Sequence, residues 1–102
     1  MHSSARILLT NVEGPVLGEV EAAMAALGGD VTHAEWALDL VDLVHAKSFH
    51  LVVVGFPVVG VALGRFLGSL RNRRSASLRA GTILVVPPQR LSEAGRFLGH
   101  GI

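Results

Sequence analysis

Apolar runs and amphipathic runs alternate along the chain. "RILLT" (Arg6–Thr10) is a short β-forming run. "NVEGP" follows as a turn, and Pro15 suits the first position of a helix, where a missing N–H costs nothing. Val16, Val20, Met24 and Leu27 then recur at helical spacing and predict one buried face, with Glu19 and Glu21 off it. Gly28 and Gly29 end that helix. "DVTHA" (Asp30–Ala34) predicts a second strand, and "EWALDLVDLVHAK" (Glu35–Lys47) a second helix with Glu35, Asp39 and Asp42 on its polar stripe. "HLVVV" (His50–Val54) is β-branched and does not alternate, the pattern of a strand covered on both faces. A helix from about Val59 to Arg73 follows, then a fourth strand, "TILVV" (Thr82–Val86). Pro87 and Pro88 form a turn, and "LSEAGRFLGHGI" opens a fourth helix. The pentapeptide "GRFLG" occurs at Gly64–Gly68 and again at Gly95–Gly99, at matching places in successive strand–turn–helix units. The alternation predicts an α/β fold of four βα units around a mostly parallel sheet.

The chain's 102 residues suit one domain with its own core. No cysteine is present, which excludes disulfides and thiolate metal sites and fits a cytoplasmic protein. Four Phe, one Trp and no Tyr leave Val, Leu and Ala to build the interior. The net charge of +1 conceals an asymmetry: residues 1–50 carry two basic side chains against seven acids, a balance of −5, and residues 51–102 carry seven arginines against Glu93, a balance of +6. Opposite charge on two halves of one domain has two readings: a field that steers partners or pairs copies head to tail, or two ordinary solvated faces.

Several functions find no support. "MHSSARILLTN" has a three-residue apolar run and does not read as a signal peptide. Leu51 to Gly64 lacks charge, and Gly60, Gly64 and Gly68 are spaced as in packed membrane helices. That run is shorter than the roughly twenty residues a span needs, and Pro57 interrupts it, so no membrane is expected. There is no dinucleotide glycine motif, no Walker sequence and no Gly-x-Ser-x-Gly elbow. The five histidines show no metal spacing, and His33 and His50, at strand ends, read as hydrogen-bonded. No catalytic residue, metal or cofactor is assigned. "RNRRSASLR", with Arg71, Arg73, Arg74 and Arg79, has two readings: a phosphate-binding run, or a solvated helix end whose arginines face the negative end of the dipole. Nucleic acid is not the expected partner.

The order of segments from Arg6 to Gly101 resembles the receiver domain of bacterial response regulators. The residues that carry it are "RILLT", the helix ending at Gly-Gly, "VTHAEWALDLV", "FHLVVV", "PVVGVALGRFLGSLR" and "GTILVV". The resemblance implies a flavodoxin-like three-layer α/β/α fold. It also implies a phosphorylation corner, and there the sequence departs from the family. Gly55 stands where the third strand ends in the phosphoacceptor aspartate. The acidic pair that holds Mg²⁺ corresponds to Asn11-Val12-Glu13, of which Glu13 alone is a carboxylate. The hydroxyl of the fourth strand falls at Val86 or Pro87, and the fifth-strand lysine has no counterpart. Phosphoryl transfer to a carboxylate needs that nucleophile and its charge neutralisation. The implied protein is a pseudo-receiver: a non-enzymatic signalling or interaction module, lacking the fifth strand and helix and C-terminally truncated. The end "FLGHGI" resembles the run that precedes a PilZ effector domain. Its partner is expected to be a protein, a second copy included, with Phe56, Pro57, Phe97 and the four arginines as contact residues. The alternative is a small-ligand or nucleotide binder that uses the strand carboxyl ends and the arginine run.

Overall fold

A computed structural model describes residues 5–37, 39–58 and 62–97. Four strands, β1 (Ala5–Thr10), β2 (Gly29–Ala34), β3 (Leu51–Gly55) and β4 (Gly81–Val85), form one sheet in the order β2-β1-β3-β4. Every pairing is parallel; Ile7 lies beside Val31 and Leu51, and Val54 beside Leu84. Parallel neighbours need crossovers, and these are α1 (Pro15–Ala26), α2 (Asp39–Ala46) and α3 (Leu63–Leu70). After β4 come a 3₁₀ turn (Pro88–Arg90), the short α4 (Leu91–Ala94) and a second 3₁₀ turn (Gly95–Phe97). The architecture is a flavodoxin-like α/β/α sandwich of four βα units.

Strand side chains alternate between the two faces of the sheet. Ile7, Leu9 and Val53 pack beneath Leu17, Val20 and Met24 of α1. Leu8, Val52 and Val54 pack against Leu40 and Val44 of α2 and Leu63, Phe66, Leu67 and Leu70 of α3. The first outward step, β1 to β2, and the later steps back across β1 put their same-handed crossovers on opposite faces. The run from Leu51 to Gly64 is thus a strand, a loop and the start of α3. Among the described residues no helix is long and apolar enough to cross a membrane.

The strands match the sequence expectation to within one residue: β1 and β2 begin one residue earlier, β3 is shifted one residue later and β4 one earlier; the helices differ more. The buried stripe of α1 is Leu17, Val20 and Met24, whereas Val16 is 41% exposed and Leu27, the C-cap, 73% exposed. Helix α2 begins at Asp39 and not Glu35, because Trp36 turns inward to meet the Phe66 ring edge-on at 5.0 Å. Helix α3 spans Leu63–Leu70, shorter than the expected Val59–Arg73: Ala62 is extended, Arg71 leaves helical geometry to clamp the next loop, and residues 59–61 lie outside the described residues. The fourth helix is one turn long, flanked by 3₁₀ turns. Both copies of "GRFLG" contribute a phenylalanine to the same cluster, Phe66 fully and Phe97 partly buried. The second copy's Leu98 and Gly99 lie outside the described residues.

Candidate functional site

In this strand order the chain reverses its direction of travel between β1 and β3, and doubly wound sheets bind their ligands outside the strand carboxyl ends at that point. A cleft of about 700 Å³ opens there. Its floor is the β1–α1 loop, with exposed Asn11 and Glu13 and buried Val12. One wall is Gly55, Phe56 and Pro57 after β3, and the other is Val85 through Gln89 after β4.

The corner is built from backbone as much as from side chains. Asn11 adopts φ 59°, a left-handed conformation that asparagine tolerates better than most residues. From there its Nδ2 donates to the Gly55 and Pro57 carbonyls, each at 2.8 Å, and ties the two loops together. The Phe56–Pro57 peptide is cis. Gly14, at φ 69°, turns the chain into α1 in a conformation that strains L-residues. The Phe56 ring packs against Phe97 at 6.1 Å, so both expected contact residues are partly engaged with each other, and Pro57 remains exposed.

Gly55 ends β3 and is buried. A Cβ built on it runs into the Asn11 carbonyl oxygen and carbon. The carboxyl end of β3 therefore has no room for a side chain while Asn11 keeps its conformation. Val86 lines the cleft with a hydrocarbon side chain. Glu13 is the one charged residue among the described residues lining the cleft. The residues do not fit Mg²⁺: one carboxylate lines the cleft, and among the described residues no three His, Asp or Glu side chains gather as metal ligands.

The arginine run sits at the other end of the molecule, in the loop that leads into the amino end of β4. The strand carboxyl ends and the run, joined in the ligand-binding alternative, are therefore not one surface. Nor is the run uniform. Arg71 is half-buried; its Nη1 donates to the Leu78 and Ala80 carbonyls at 2.8 and 2.7 Å and its Nη2 to Thr82 Oγ1 at 3.2 Å. It clips α3 to β4, which accounts for it without a ligand. Arg73, Arg74 and Arg79 are exposed. Between them, Ser75 and Ser77 are buried and cap α2: Ser75 Oγ donates to Val44 O at 3.2 Å, Ser77 Oγ to Lys47 O at 2.7 Å, and Ala76 N–H to His45 O at 3.1 Å. Ser75 and Ser77, spaced like turn residues, are the sequence signal for this cap, and charge alone does not reveal it.

The histidines expected to be hydrogen-bonded, His33 and His50, both have polar partners, and so does His45; His2 and His100 lie outside the described residues. His33 Nε2 lies 3.3 Å from Glu21, His45 Nε2 lies 2.9 Å from Ser69 O, and His50 Nδ1 accepts the Arg6 N–H at 2.8 Å. No protein-family model matches the chain, and no curated protein sequence matches it.

Proposed function

We propose that the chain is a non-catalytic interaction module, a receiver-like scaffold whose phosphorylation corner has become a packed, apolar recess. The observation that carries this reading is Gly55: a Cβ there meets the Asn11 carbonyl, so a nucleophilic carboxylate cannot occupy the position. The strand order β2-β1-β3-β4 supports the likeness, as does a carboxyl-end cleft walled by Phe56, Pro57, Val85, Val86 and Pro87 with one carboxylate at its rim. Such a surface suits binding and not phosphoryl transfer.

The partner in this reading is a protein, and a second copy of the chain is the first candidate. Among the described residues β4 has a neighbour on one side only. Gly81 N–H donates to His50 O at 2.9 Å and Val85 O accepts from Phe56 N–H at 2.8 Å, so alternate residues turn their backbone groups to β3. Thr82 and Leu84 turn theirs outward. The stretch Ala80–Gln89 contains no charge to guard that edge, and Ile83 beside it is 43% exposed.

The test of the lost chemistry is direct. Acetyl phosphate, or beryllofluoride, with Mg²⁺ is added to the ¹⁵N-labelled chain. The expected spectrum shows no localised shifts at Asn11, Gly55 or Val86. Saturable shifts at those amides overturn the reading.

A further inference from the structure

The loops at the two ends of the sheet differ in charge, although exposed Arg65 opens α3 at the carboxyl end. At the carboxyl ends the loops hold Glu13 and Glu35, and Arg90 is paired with Glu93 at 3.1 Å. At the amino ends the loops hold Lys47, Arg73, Arg74 and Arg79, all exposed, and Arg6 begins β1, its Nε donating to Ser48 O at 2.6 Å. Asp30 is the one acid at that end among the described residues. A pocket of about 470 Å³ opens on this basic end between the α2–β3 and α3–β4 loops. Ser48, His50, Arg79 and Ser75, whose hydroxyl is turned to Val44 O, bring its polar groups, and Phe49, Ala76 and Leu78 its apolar lining; no carboxylate lines it.

The polar groups present hydrogen-bond donors. His50 Nδ1 accepts the Arg6 N–H, so the ring carries its hydrogen on Nε2, the nitrogen left for a ligand. Ser48 offers a hydroxyl, and Arg79 a guanidinium suited to two parallel bonds to an oxyanion. The pocket's volume falls in the range of small-molecule sites and exceeds what one phosphate group fills. We propose that this pocket binds a small organic phosphomonoester, its phosphate on Arg79, His50 and Ser48 and its carbon body on Leu78 and Ala76. The site is independent of the carboxyl-end corner, and its failure would leave the reading of that corner untouched.

The experiment is an NMR titration of the full 102-residue chain with three probes: adenosine 5′-monophosphate, inorganic phosphate and adenosine. The nucleotide is expected to give saturable shifts at the Ser48, His50, Ala76 and Arg79 amides, inorganic phosphate weaker binding at the same amides, and adenosine none. Arg79→Gln is expected to weaken nucleotide binding at least ~10-fold, the scale of one charge-assisted hydrogen bond. Arg90→Gln, at the other end of the sheet, is expected to leave it unchanged. Either variant's spectrum also reports whether it is folded. Absence of shifts at about 10 mM nucleotide, well above ordinary small-ligand dissociation constants, overturns the proposal. Shifts confined to the carboxyl-end cleft, or unchanged affinity in a folded Arg79→Gln, overturn it equally. Inorganic phosphate that binds as tightly as the nucleotide overturns the assignment of a carbon body to the site.

Discussion

Asn11 combines a left-handed backbone at φ 59° with two hydrogen bonds from one amide. The two contributions are separable by substitution. Asn11→Ala removes both bonds and leaves a Cβ in an unfavourable conformation, and is expected to cost about 2–3 kcal/mol. Asn11→Gly removes the same bonds but relieves the conformation, and is expected to be less costly by about 1 kcal/mol. Urea unfolding of the two variants checks the order; equal losses would mean that the backbone conformation contributes nothing. The sequence shows that Gly55 carries no chemistry, but not that the position is closed to side chains. Closure depends on a carbonyl brought from Asn11, 44 positions away. No local pattern records such an approach.

β1, β3 and β4 were legible at the level of elements, since each holds a run of β-branched or leucine residues; β2, GDVTHA, rests on Val31 and Thr32 between turn residues. The helix ends were less so. Trp36 belongs by periodicity to α2, yet its ring is drawn toward Phe66 and the helix starts after it. The C-terminus of α2 depends on a loop thirty residues later, where Ser77 Oγ donates to Lys47 O and accepts the Phe49 N–H at 3.0 Å. Ser77 is 1% exposed, so no water replaces it. Ser77→Ala leaves a buried donor, the Phe49 N–H, and a part-buried acceptor, Lys47 O, unpaired and is expected to cost about 1–3 kcal/mol. The readout is a lower urea midpoint at unchanged slope, together with faster hydrogen exchange at the Phe49 amide. Exchange there as slow as in the parent chain would show that another group takes over the bond.

For the molecule as a whole, the sheet order does not simply separate the sequence's two charged halves. β3 and β4 carry no charge themselves, and α2, with Asp39 and Asp42, packs beside α3 of the basic half. Pairing through the outer edge of β4 buries backbone and Ile83, and is expected to persist near 1 M salt, where the Debye length is about 3 Å. Sedimentation velocity over a concentration series at low and high salt measures it. Ile83→Lys, at a position already 43% exposed, is expected to abolish association while the chain stays folded. A parent chain that sediments as a monomer at high micromolar concentration in both buffers refutes the pairing.

The sequence by itself determined the strands, the crossovers, the α/β class and the absence of a carboxylate at Gly55. Each of these rests on neighbours a few positions apart: apolar period, β-branching, glycine and proline at turns. Tertiary structure alone decided that Leu17 and not Val16 faces the core, that Arg71 is a clip while Arg79 lines a pocket, and that the arginine run and the strand carboxyl ends are opposite poles. The reason is the same in each case. A side chain's role there depends on which distant backbone the fold sets beside it, as Arg6 is set beside His50 and Ser77 beside Lys47. Periodicity along the chain carries no trace of those meetings.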